Sequence, residues 1–294
     1  MAYQSTYNQC LMQEKLAVIT GGGSGIGRCI AHELASLGAR VIITGRSADK
    51  LETVAKEILE DGGDCDWVAF DIRDEDSVTK AIEGIVKKHQ KIDFLVNNAG
   101  GQFQAPIEEI SKNGFQAVVN NNLVGGFLVS REVFKQSMKK HGGSVVNITA
   151  DNLNGMPLMA HSGAARAGME NLTKSQAWEW GQYGVRVNAV APGWIVSSGF
   201  DTYDQEMTDI LLKLKDHVPL KRYGSEAEIS AAVCFLLGPS GNFISGQCLR
   251  VDGGSSMGSA PAIWPLPPGD ATNSETFNGF HRAVDPEILK NNDS

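Results

Sequence analysis

The sequence has no apolar run approaching the roughly 18 to 20 residues that a membrane-spanning helix requires. It opens without the basic, apolar and small-residue succession of a secretory signal, and its last residues, Asn291 to Ser294, carry no receptor-read address. It also lacks paired cysteines. The five present, Cys10, Cys29, Cys65, Cys234 and Cys248, show neither CxxC nor metal-ligand spacing, which predicts reduced thiols and no metal site. Basic charge is scarce: 26 Lys and Arg stand against 34 Asp and Glu, for a net charge of -8. The few basic clusters (Lys87, Lys88 and Lys91; Lys139 and Lys140) fall at expected helix ends, where cations complement the dipole. Membrane anchorage, a disulfide scaffold and nucleic-acid binding are thereby set aside, and a cytoplasmic location is expected.

What the sequence does have is a chain of 294 residues, 42% hydrophobic, enough to bury one large core. Residues 1 to 14 are polar and aperiodic and read as an N-terminal extension. From Leu16 onward short apolar runs alternate with helical periodicity. Strands are expected at Leu16–Ile19, Val41–Thr44, Trp67–Phe70, Phe94–Val96, Val145–Ile148, Val185–Val190 and Cys248–Val251. Helices are expected from Ile26, at Ala48–Leu59, Glu75–Lys88, Asn113–Lys139, Ser162–Trp180, near Gln205–Leu214 and at Glu226–Leu237. Such alternation predicts an α/β fold, a single doubly wound parallel sheet of the Rossmann type over residues 15–254 with helices on both faces. Residues 255–294, rich in proline at Pro261, Pro265, Pro267 and Pro268, read as a tail laid over the surface.

The turn after the first strand is TGGGSGIG, Thr20 to Gly27. Glycines at 21, 25 and 27, with Ser24 and Ile26 between them, suit a turn whose backbone N–H groups meet a pyrophosphate at a helix N-terminus. With NNAG at Asn97 to Gly100, NLxG at Asn122 to Gly125, RVNAVAPG at Arg186 to Gly193 and VDGG at Val251 to Gly254, this resembles the short-chain dehydrogenase/reductase family over residues 15 to 254. The resemblance implies a nicotinamide cofactor at the C-terminal edge of the sheet and hydride transfer to or from a carbonyl, alcohol or activated double bond. It places Asp71 and Ile72 at the adenine edge, Asn97, Ala99 and Gly100 beside the cofactor, and Pro192, Gly193, Ile195 and Ser197 near the carboxamide. Asp71 is equally suited to cap the helix that starts at Glu75. At the end of the second strand Gly45 stands where an acid would select NAD, and Arg46 follows it, so NADP (NADPH) is expected over NAD.

The family's active site has a Ser, an Asn and a Tyr four residues before a Lys. Here Asn122 is kept, Thr149 or Ala150 stands at the usual serine position with only Thr149 carrying a hydroxyl, Ser162 replaces the Tyr and Arg166 replaces the Lys. Serine has no readily lost proton near neutral pH, and arginine binds ribose hydroxyls without relaying protons. The variant HSGAARAG at His161 to Gly168, with GGQF at Gly100 to Phe103, is similar to the branch holding peroxisomal trans-2-enoyl-CoA reductase and the 2,4-dienoyl-CoA reductases. That chemistry asks for donors to an enolate oxygen, from Ser162, Thr149, His161 or Asn122, and for a proton donor, which is Ser162, His161 or an Asp151 whose pKa is raised. Each residue has a plainer role open to it: Ser162 as helix N-cap, Arg166 paired with Glu170, His161 as packing, Asp151 as loop. The expected function is NADPH-dependent reduction of a trans-2-enoyl-CoA thioester by a homotetramer. Two alternatives remain: dehydrogenation of a terpenoid or branched alcohol or aldehyde of the citronellol/citronellal kind, and a catalytically silent NADP-binding subunit of a hetero-oligomer.

Overall fold

The computed structural model describes residues 2–196, 214–257, 269–272, 274–284 and 286. Seven parallel strands form one sheet in the order β3-β2-β1-β4-β5-β6-β7: β1 (Leu16–Thr20), β2 (Arg40–Gly45), β3 (Asp64–Ala69), β4 (Phe94–Asn97), β5 (Gly143–Ile148), β6 (Val185–Pro192) and β7 (Cys248–Val251). Alternation along each strand feeds two cores. Ala17, Ile19, Val41 and Ile43 face α1 (Gly25–Ser36), α2 (Ala48–Glu60) and α8 (Glu226–Leu237), whereas Leu16, Val18 and Ile42 face α3 (Glu75–His89) and α5 (Gly125–Val133). A sheet covered on both faces explains why its strands are nearly continuous apolar runs. The order reverses between β1 and β4, and at that point the carboxyl ends of the strands open a crevice.

The long helix expected from Asn113 to Lys139 is a chain of segments: α4 (Lys112–Val119), a π turn at Asn120–Val124, α5, a second π turn at Phe134–Met138, and α6 (Lys139–His141). Strands β3 and β5 begin earlier than read, at Asp64 and Gly143. Helix α7 (Ala160–Trp180) also begins earlier, with Met159 as its N-cap, so Ser162 lies inside its first turn and does not cap it. Nearly all of the helix expected near Gln205–Leu214 lies outside the described residues. Beyond β7, Phe277 and Phe280 pack with Tyr3 and Cys29 against α1 and α8. No described helix is long and apolar enough to cross a membrane, and the five cysteines are free.

Candidate active site

The crevice at the strand ends is a cleft of about 510 Å³. The turn from β1 forms its floor. Gly21, at φ 68°, has no room for a Cβ, which would stand 2.9 Å from Ala99 Cα, and the backbone of this turn is fastened to β4 by Asn98. The Asn98 amide donates to the Thr20 and Gly21 carbonyls, and the Thr20 hydroxyl accepts from the N–H of both Asn98 and Ala99. Ser24 is the N-cap of α1 but its hydroxyl caps nothing, leaving the first turn open to the cleft. Gly27 lets Asn98 and Gly21 close in on α1, and Ile26 packs against the core beneath.

Arg46, with Ser47 and Lys50, stands at the rim where β2 ends, and Asp71 and Ile72 stand across from them. Asp71 is not the cap of α3. That role belongs to Asp74, which accepts from the N–H of Asp76 and Ser77. The Arg73 guanidinium, in a forked contact, holds the Asp71 carboxyl below the usual range, with Arg46 adding to the effect. Asn97 is turned away from the cleft: its amide donates to Ser130 and Asn147 inside the sheet, and Asn98 takes the position beside the turn.

The π turn re-aims Asn122 toward α7. Its Oδ1 accepts from the Gly101 N–H at 2.9 Å, its Nδ2 lies 3.5 Å from the Ser162 hydroxyl, and Ser162 donates onward to Gln102 Oε1 at 2.6 Å. Ser162 is fully buried and Gln102 exposed, so this chain of hydrogen bonds leads from the interior to the surface. Beside Ser162, His161 is also fully buried; its Nδ1 accepts from the Ser162 N–H, its Nε2 has no partner, and its ring meets Phe103 edge to face.

Among the described residues Arg166 makes one hydrogen bond, from Nη1 to the Ile148 carbonyl at 2.7 Å. Its Nε is without a partner, and it pairs with no carboxylate among the described residues. The expected Glu170 instead accepts from Asn152 and faces Arg250. Burial lowers the Arg166 guanidinium to about 10, still charged at neutral pH. Gly100 leaves the space beside it open: a Cβ there would sit 2.5 Å from Nη2. A buried, unpaired guanidinium is costly unless something polar meets it.

Thr149 does not join this group. Its hydroxyl donates to the Val190 carbonyl and touches Cys248 Sγ, because β5 ends at Ile148 and the next side chain turns toward β6 and β7. Asp151 is likewise apart, accepting from the Ser255 hydroxyl. Gly193 accommodates Asp252, and Ile195, bridged to Gly224, borders a second cavity of about 480 Å³ with Trp194, so this stretch after β6 does not line the first cleft. Ser197 lies outside the described residues. Three residues of this region were not read from the sequence. Gln102 lies inside the GGQF motif, which marked the loop but not the part this side chain plays; Asn98, inside NNAG, and Lys50, one helical turn after Arg46, could have been found from their positions.

A family model described as enoyl-(acyl carrier protein) reductase matches residues 21–256. The chain belongs to the short-chain dehydrogenase/reductase family. It is similar to the peroxisomal 2,4-dienoyl-CoA reductase of Mus musculus, 38% identical over 259 residues that cover 87% of this chain and 88% of the relative. Among solved structures it is similar to a citronellol catabolism dehydrogenase of Pseudomonas aeruginosa, 53% identical with a TM-score of 0.79, covering 87% of this chain and all of that one. A structure from Beutenbergia cavernae described as a putative NAD(P)-dependent gluconate 5-dehydrogenase, with NADP bound at low occupancy, is 33% identical with a TM-score of 0.79, covering 84% of this chain and 99% of that one. Family membership makes this member an oxidoreductase.

Proposed function

We propose that the protein uses NADPH to reduce the double bond of a trans-2-enoyl-CoA thioester. The observation that carries this reading is the chain Asn122, Ser162, Gln102, beside an unpaired Arg166: a row of hydrogen-bond donors with no tyrosine or lysine in it. The cleft fits a nicotinamide dinucleotide: the open first turn of α1 takes its pyrophosphate, Arg46 and Lys50 its 2'-phosphate, and Arg166 the ribose beside the nicotinamide. When bound, the cofactor supplies hydride to Cβ of the conjugated bond.

Charge then develops on the thioester oxygen. The Ser162 hydroxyl, which now donates to Gln102 Oε1, donates to that oxygen when the substrate takes the acceptor's place. Asn122 fixes the hydroxyl's direction from behind, and its own carbonyl is held by Gly101. Gln102, at the exposed end, offers its Nε2 as a second donor to the same oxygen once its Oε1 is released by Ser162. Thr149 has no part, since its hydroxyl is engaged with Val190. The proton for Cα comes from His161, whose Nε2 carries the hydrogen because Nδ1 accepts one, or from solvent entering along Gln102.

A second reading, oxidation of a terpenoid alcohol, is supported by the 53% identity to the citronellol catabolism dehydrogenase. It needs a base for the hydroxyl proton, and the chain from Asn122 to Gln102 contains none. A spectrophotometric panel of trans-2-enoyl-CoAs and terpenoid aldehydes with NADPH separates the readings. Consumption of NADPH with enoyl-CoA alone is expected. Turnover only with the aldehyde would favour the second reading, and tight NADPH binding without turnover on either would favour a silent subunit.

A further inference from the structure

Glu226 opens α8, the helix that packs against the cofactor helix α1. Its Oε1 lies 3.7 Å from the point where a Cβ on Gly25 would stand, so a carboxylate sits directly behind the first residue of α1. Gly25 is at φ 56°, in the turn whose other side lines the cleft through Ser24. The side chain is only partly exposed and borders a small cavity of about 160 Å³ with Ser225, Thr276 and Asn278. Among the described residues its carboxylate makes no hydrogen bond or ion pair.

The groups facing it are few. From α1 come Arg28, committed to Glu57 through two hydrogen bonds, and Cys29, whose thiol is driven up by its own burial first and by Glu226 next. From the loop before α8 comes Tyr223, and from the C-terminal segment the neutral Thr276 and Asn278. On its own helix, Glu228 is taken by Arg222. Among the described residues no cation is left over to pair with Glu226.

We infer that Glu226 sets the affinity of the dinucleotide cleft by charge: ionised, its carboxylate opposes the pyrophosphate arriving at the far side of the same turn. This rests on the reading of the cleft as a dinucleotide site. Burial pushes the Glu226 carboxyl up to about 7, with Arg28 pulling weakly the other way, so the residue is divided between its two forms near neutral pH. A dianionic pyrophosphate raises the carboxyl further, and binding therefore draws a proton from solvent. Affinity is highest below about 7 and falls as pH rises through it.

The experiment is calorimetric titration of the full-length wild type and of Glu226→Gln with NADPH at pH 6 and pH 8, each in two buffers of different ionisation enthalpy. The variant carries the same titration of the cofactor's own 2'-phosphate, so the difference between proteins isolates the carboxylate. Glu226→Gln is expected to bind NADPH about five- to tenfold more tightly than wild type at pH 8, the size of a coupling near one pKa unit, and equally at pH 6. Wild type should take up more protons on binding than the variant near pH 7. Equal affinity ratios and equal proton uptake in the two proteins would overturn the proposal. Glu226→Ser, which also removes the charge and suits the start of a helix, must behave as the Gln variant does; if only one of the two tightens binding, charge is not the cause. Failure of both NADPH and NADH to bind any of the proteins would overturn the dinucleotide reading and this inference with it.

Discussion

Ser162 and Gln102 are 60 positions apart in the chain and joined by a hydrogen bond of 2.6 Å, and most of what the site does depends on which oxygen accepts that hydrogen. Ser162→Ala removes a donor that matters most when charge has built up on the substrate. Expected is a kcat on enoyl-CoA lowered about a hundred- to a thousandfold with NADPH affinity unchanged, as read by steady-state kinetics and direct titration. Arg166 predicts an opposite split. Since its guanidinium is buried without a carboxylate, Arg166→Met should leave the unliganded protein no less stable by urea titration, while NADPH binding weakens. A variant both unstable and normal in NADPH binding would show Arg166 to be structural. At the rim, Arg46→Ala should cost about 1.5 to 3 kcal/mol of NADPH affinity and leave NADH nearly untouched, compared by competitive titration. The sequence announced Ser162 and Arg166 because both stand where other residues were expected. It marked Gln102 through the GGQF motif but not its role, which comes from a loop that folds back on α7.

The elements were legible where periodicity was strong and indistinct where it was interrupted. Strands β1, β2 and β4 read cleanly because they are buried on both faces, whereas the polar edge of β3, Asp64 and Asp66, hid its start. The π turns were invisible, since one added residue per turn leaves amino-acid composition unchanged. Equally unread was the packing of residues 274–284 on α1 and α2. There Arg282 and His281 meet Asp61, and His32, buried, faces Glu57 and Asp61. Burial holds the His32 imidazole down to about 4 against 6.5 in solution, even with two carboxylates nearby. A lowered histidine favours the fold above 6.5, and that contribution is lost as pH falls toward 4. Urea midpoints should therefore decline over that range in wild type, and less steeply in His32→Gln; parallel declines would exclude His32 as the cause.

On the scale of the whole molecule, a shallow apolar groove of about 330 Å³ lies between the helices that carry the site, formed by Leu123, Val124, Phe127, Gly168 and Leu172. Val124 and Phe127 are more than a third exposed, which is unusual for a face so rich in apolar groups. We expect a homotetramer assembled in part through this face. Light scattering should give four copies for wild type and fewer for Gly168→Arg, and a monomeric wild type would refute the expectation.

The two ends of the described chain meet on this same molecule: the Gln4 N–H donates to the Gly279 carbonyl at 2.9 Å, and Tyr3 lies against Phe280 behind α1. Time enters here. During synthesis at about 5 to 20 residues per second, α1 is made before Phe277 and Phe280, which cover it from behind. For on the order of tens of seconds, then, each new molecule carries an α1 whose back is not yet covered by that segment, a period in which chaperones have access to a surface that the folded protein no longer shows.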